Sequence, residues 1–247
     1  MCKIHAVLVS AFLLAGSASA TSIFFTDFDS GAPSQISGSS GVASTAAVNG
    51  NAGIDGLQVW QDYSTGNPNS PTTLTLTGLA ANQSLNLDFN FLAIGSWDGT
   101  TEGAAAPDFF NVTLNSHSIF QGAFRNYGLA SPEYPGCTVG TNCTSAIYPA
   151  PPAGTSVVLN QANSGDFGTS VYHIFIGGVT ADATGNATFN FFASGSGWQG
   201  NSDESIGLDN IEVTTAAGAA TPEPSTWALI AGALLCLPLI RRRAFGR

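Results

Sequence analysis

The sequence predicts an all-β protein: a jelly-roll-like antiparallel β-sandwich, flanked by an N-terminal signal peptide and a single C-terminal hydrophobic helix. Three observations carry this. Apolar side chains recur at every second residue in many short runs, the interval that lines one face of a strand. Clusters of Gly, Asn, Pro and Ser separate the runs, and these residues turn a chain. Between residues 21 and 215 no stretch repeats its apolar residues at helical spacing.

The elements follow in chain order. Lys3 and His5 precede a ten-residue apolar run, residues 6–15, and Ala18-Ser19-Ala20 ends it with small side chains. A basic lead, a short apolar core and an A-x-A exit make a secretory signal peptide over residues 1–20, cut by signal peptidase. The run is too short to span a bilayer permanently. No cysteine follows it closely, so no N-terminal lipid anchor is expected.

Strands then follow. Leu74 and Leu76 alternate with threonines, and Leu85, Leu87, Phe89 and Phe91 with Ser84, Asn86, Asp88 and Asn90. Phe110, Val112 and Leu114 form a third run, and Phe189 and Phe191 a fourth. Further strands are expected over 23–28, 57–63, 156–160, 171–176 and 206–214. One-sided alternation suits antiparallel sheets with one buried face, and many short strands point to a sandwich or barrel. In the last run Ile206 and Leu208 hold even positions, whereas Ile211 and Val213 hold odd ones. A regular strand cannot turn both pairs to one face, so either both faces are buried or a bulge near Asp209 and Asn210 re-aims the chain.

The domain spans residues 21–215, and a small-residue linker, 216–221, leads to the tail. Residues 226–240 carry no charge and are mostly apolar, and Arg241, Arg242 and Arg243 follow at once. An apolar segment stopped by arginines halts in a membrane with the arginines on the cytoplasmic side. At fifteen residues it is shorter than the usual span. Pro222-Glu223-Pro224, this segment and the arginine cluster together resemble the PEP-CTERM sorting signal of bacteria that make an extracellular polysaccharide. The resemblance covers residues 221–247. It implies processing near the PEP motif by an exosortase, with transient membrane anchoring followed by release to the cell surface or beyond.

Composition excludes some functions. Arg125 stands against fifteen acids between residues 21 and 221, a formal charge of −14. Nucleic-acid binding needs a positive footprint, and so does adhesion to anionic lipid. Contact with membrane is therefore expected only through the tail. Cys137 and Cys143 are the two cysteines of the domain. In an oxidising compartment two close cysteines are most simply a disulfide, since structural zinc usually needs four ligands.

Acids gather at three places: Asp27 and Asp29 after the first strand, Asp98 and Asp108 mid-chain, and residues 203–212. The opening Asp27-Phe28-Asp29 and the closing Leu208-Asp209-Asn210-Ile211-Glu212-Val213 resemble the ends of carbohydrate-binding-module-like jelly rolls. That resemblance implies adjacent first and last strands whose acids, Asp29 and Asp209, share a structural calcium, with Asp27 as a looser candidate. Asn210 could add an amide oxygen; Asp98 and Asp108 are weaker candidates. Calcium takes six to eight oxygens of these kinds. The alternative reading makes all of them turn and strand-end residues in water.

Trp60, Trp97 and Trp198 could each be core residues or sugar platforms, because an aromatic face packs on a pyranose ring. Trp198, in Gly-Ser-Gly-Trp-Gln-Gly, has the most loop-like setting. No nucleophile elbow or zinc-protease motif occurs, so no enzyme activity is expected. The expected role is that of a non-enzymatic exported protein of the envelope or matrix that binds or organises extracellular polysaccharide. The alternatives are a purely structural surface protein and a polysaccharide-active hydrolase or lyase.

Overall fold

The structure is a computed structural model that describes residues 19–44, 58–99, 107–124, 140, 154–161, 168–201 and 203–216. The chain divides into one unit of residues 21–216 and another made of 1–20 and 217–247. Residues 1–18 of the predicted signal peptide, the predicted sorting signal with Pro222, Glu223, Pro224 and Arg241 to Arg243, and Cys137 and Cys143 lie outside the described residues.

Twelve strands form among the described residues: β1 (Ser22–Thr26), β2 (Ile36–Ser37), β3 (Gly41–Ser44), β4 (Gln58–Asp62), β5 (Thr72–Leu76), β6 (Ser84–Gly95), β7 (Asp108–Leu114), β8 (His117–Ala123), β9 (Ser156–Gln161), β10 (Thr169–Thr180), β11 (Ala187–Gly195) and β12 (Glu204–Thr215). One sheet runs β3-β4-β12-β6-β10-β9 with β1 also on β12, and the other runs β2-β5-β11-β7-β8. All pairs are antiparallel.

The pairing is nested. Strand β4 pairs with β12, β5 with β11, β6 with β10 and β7 with β8. The chain therefore runs out as one half of a long ribbon and returns as the other half, and the ribbon folds over into two facing sheets. This is the jelly-roll arrangement, so the predicted fold class holds.

Alternation produces the core. Leu85, Leu87, Phe89 and Phe91 of β6 face Phe110, Val112, Phe189 and Phe191 of the second sheet in one apolar cluster. Beyond Phe89 the alternation of β6 stops, and every residue to Gly95 is buried. Leu92 and Ile94 point to the opposite face and join Val59 and Val171 in a smaller cluster. The parity change in β12 has the bulge as its cause. Register shifts between Asp209 and Glu212, with Asn210 at φ 48°, and so Ile206, Leu208, Ile211 and Val213 all enter the same core. Asparagine tolerates this left-handed conformation better than a branched residue does.

On the outer face, His173 of β10 meets Asp88 of β6 at 2.5 Å. The hydrogen bond to Asp88 raises the His173 pKa above its ordinary value, against a smaller opposing effect of burial. A raised histidine pKa stabilises the fold at low pH, and that contribution is lost as pH rises through the folded-state value. Both side chains are more than a third exposed, so water screens the pair and the stability effect is small. A proton NMR titration should place the His173 midpoint above that of a free histidine, and Asp88→Asn should bring it down. An unmoved midpoint in that variant would rule out the pair as the cause.

Candidate functional site

The strands deliver the predicted acids to two places. First and last strands do lie side by side, with Phe24 opposite Val213 and Thr26 opposite Ile211. Asp209 is fully buried at the bulge, where its Oδ1 accepts from the Asn210 backbone N–H at 2.8 Å and its Oδ2 from the Asn210 side-chain amide at 3.3 Å. Asp29 is exposed and accepts from the Gln58 N–H at 3.1 Å, tying the exit of β1 to the start of β4. Asp27 accepts from the Asp29 N–H at 3.1 Å in a local turn. Among the described residues, Asp27, Asp29 and Asp209 do not bring three ligand atoms within 4.8 Å of one another.

Asp98, Asp108 and Glu204 do. Each comes from a different strand end. Gly95 closes β6 at φ +86°, which swings Ser96 and Trp97 under the start of β12. The Ser96 N–H donates to the Asp203 carbonyl at 2.9 Å, and the Trp97 indole N–H to the Ser205 carbonyl at 3.0 Å. Asp98 then locks onto β7: its N–H donates to Asp108 Oδ2 at 2.5 Å, and the Asp108 N–H donates to the Asp98 carbonyl at 2.7 Å. Glu204 opens β12 opposite Gly95, and its Oε2 accepts from the Gln199 N–H at 2.7 Å.

Asp108 and Glu204 are 0% and 1% exposed, and Asp98 is half-buried. Asp108 Oδ1 and Glu204 Oε1 are buried without a hydrogen-bond partner. Burial, followed by the charge of Glu204, pushes the Asp108 carboxyl up to about 8. Burial likewise lifts Glu204 to about 7, although the Gln199 and Gly200 N–H groups pull it back. Sequence reasoning ranked Asp98 and Asp108 below Asp29 and Asp209 and left Glu204 out of the set. Glu204 lies 96 residues beyond Asp108, and only the strand pairing joins them.

The three candidate tryptophans are buried. Trp198 is 7% exposed, and its ring packs edge-on against Trp97 with centroids 5.2 Å apart. Of the two readings open for Trp198, core residue or sugar platform, its burial fits the core: the flanking glycines leave room for the loop to fold inward. Trp60 and Trp97 are buried as well.

Tyr63 is one of two large exposed rings among the described residues, at 44%. It stands beside a groove of about 320 Å³ lined by Ser39, Ser40, Ser64, Ser70 and Asn201, among others. The groove is built from below by Asp62, which is fully buried. Asp62 Oδ1 accepts from the Ser39 hydroxyl at 3.0 Å and the Ser64 N–H at 2.8 Å, and also from the Ser64 hydroxyl. Its Oδ2 accepts from the Thr72 hydroxyl at 2.9 Å, which in turn accepts from the Trp60 indole N–H. Tyr63 is fixed by its N–H to the Ser40 hydroxyl at 2.8 Å and by its own hydroxyl to Gln61 Oε1 at 2.6 Å. The Asn201 N–H donates to the Tyr63 carbonyl at 3.3 Å and closes the far wall. A tyrosine at a strand end, followed by Ser-Thr-Gly-Asn-Pro, was the available signal for this site in the sequence.

No family model and no curated protein matches the chain. Among solved structures, the chain is similar to the CBM22-1 xylan-binding domain of Paenibacillus barcinonensis Xyn10C, with 13% identity and a TM-score of 0.41 over 83% of this chain and 100% of that one. At that level the likeness carries no argument about ligand or role.

Proposed function

We propose that this protein is a non-enzymatic exported module that binds extracellular polysaccharide in the groove beside Tyr63. The observation that carries the reading is the makeup of that groove: one exposed aromatic ring, surrounded by hydroxyls and an amide, with no charged side chain among the described lining residues. Sugars offer apolar ring faces and many hydroxyls, and such a surface complements both. The strongly acidic domain suits a neutral or basic glycan better than an acidic one. Export rests on the signal peptide, and sorting to the surface by exosortase on the PEP-CTERM resemblance of the tail.

A hydrolase would need two carboxyls facing a glycosidic bond. Asp108 and Glu204 are the close pair with raised pKa values, and both are buried beyond reach of a chain substrate. This favours binding over cleavage.

The test is affinity electrophoresis against a polysaccharide panel that includes neutral plant and bacterial glycans. At least one should retard the protein. Tyr63→Ala should weaken that binding about tenfold or more, as loss of a central aromatic anchor does, with the unfolding midpoint unchanged. Phe25→Ala removes the other large exposed apolar ring, at 56%, and should leave binding intact. Retardation that survives Tyr63→Ala would move the site elsewhere, and no retardation by any glycan would leave a structural surface protein.

A further inference from the structure

We propose that Asp98, Asp108 and Glu204 hold a divalent cation of the calcium class at the end of the sandwich where β6, β7 and β12 meet. Their ligand oxygens lie within 4.8 Å of one another. Two of these oxygens, Asp108 Oδ1 and Glu204 Oε1, are buried without any partner, in side chains 0% and 1% exposed. A buried carboxylate oxygen left unpaired is costly, and two that share one space also repel each other. A cation between them removes both costs.

The donor set decides the class of ion. It is all oxygen, with neither histidine nor cysteine in the group, which suits a hard cation rather than zinc or copper. Each buried carboxylate already spends its second oxygen on the backbone, Asp108 on the Asp98 N–H and Glu204 on the Gln199 N–H. The remaining donors come from three separate strand ends, so the set is spread rather than built as a compact octahedron. Magnesium demands that geometry, whereas calcium accepts irregular shells of six to eight oxygens. Asp98 is half-buried, so the site opens to solvent on its side and water can complete the shell.

This placement differs from the Asp29 and Asp209 pair expected from the sequence, and it does not depend on the glycan reading, because none of the three acids lines the groove. It does share a loop with the groove: Gln199 and Gly200 donate to Glu204, and Asn201 is a groove residue.

The full chain, stripped with chelator, is titrated with calcium chloride by calorimetry and with terbium by emission excited through tryptophan. Trp97 precedes Asp98 and packs on Trp198, so a bound lanthanide sits within energy-transfer range of two indoles. One cation per chain is expected, with terbium emission displaced by calcium. Asp108→Asn and Glu204→Gln keep side-chain size and should each lower calcium affinity at least about tenfold, the least that disturbing a metal shell costs. Asp209→Asn should leave affinity in place. The proposal is overturned by absence of heat and emission up to millimolar calcium, by tighter binding of magnesium, or by binding lost in Asp209→Asn yet kept in the other two variants. Should either isosteric variant fail to fold, the unsubstituted chain and Asp209→Asn still decide.

Discussion

Phe91→Ala should lower the stability of the domain by about 3–5 kcal/mol, the range for emptying a buried phenylalanine site. For a domain of this size that shifts the thermal midpoint by on the order of 10 °C. Phe91 is fully buried on β6, between β12 and β10. Its ring stacks on Phe110 with centroids 4.0 Å apart and 13° between planes, and meets Phe124 at 4.7 Å and Trp97 at 5.3 Å edge-on. These partners come from β7 of the second sheet, from the residue after β8 and from the loop after β6, so the void left by alanine cannot be closed by moving one element. Chemical denaturation measures the loss. A cost near 1 kcal/mol would mean that the aromatic cluster collapses around the gap and that packing here is looser than the ring geometry implies.

Gly95→Ala should cost about 3 kcal/mol or more, by a different mechanism. A Cβ at Gly95 would stand 1.9 Å from the Asp203 carbonyl oxygen, and the residue sits at φ +86°. The obstacle is backbone, so no side chain can swing away. Gly31→Ala is the companion measurement, since Gly31 has φ +98° with open space around it. That change carries only the conformational penalty of roughly 1–2 kcal/mol. The difference between the two isolates the steric clash. Relief of the clash has to push Asp203 and Glu204 away from Ser96 and Asp98, so Gly95→Ala should also spread the acidic trio. Equal costs at the two glycines would show that the β6 and β12 ends are free to part.

Much of the fold was legible because burial imposes parity. Leu85 to Phe91, Phe110 to Leu114 and the offset between Leu208 and Ile211 record which face each side chain takes, and even the bulge at Asp209 and Asn210 left its mark in that count. Strand β8 was missed because Ile119 and Phe120 adjoin where the β7–β8 register slips, which breaks the alternation. The acidic trio was illegible for another reason. Asp98 and Asp108 are near in sequence, but Glu204 reaches them through the pairing of β12 with β6, a long-range contact with no local spacing to betray it. Trp198 shows the limit of composition: a glycine-rich neighbourhood reads as an exposed loop, yet it also permits a tight inward turn. Tyr63 carried only the weak signal of a strand end before Ser-Thr-Gly-Asn-Pro, since an aromatic at the end of a strand is as often core as surface.

The nested ribbon has a consequence for how the chain comes to be folded. Strand β12 occupies the middle of its sheet, held by β6 on one edge and by β4 and β1 on the other. It is also the last of the described strands in chain order. Without β12, β1 and β4 have no partner that links them to β6, and the larger sheet exists only as separate fragments. Closing it joins Ser22 to Thr214 across nearly the whole domain, and contacts of such span form late and slowly. The larger sheet thus closes only when β12 joins it, so completion of the fold waits on that one strand.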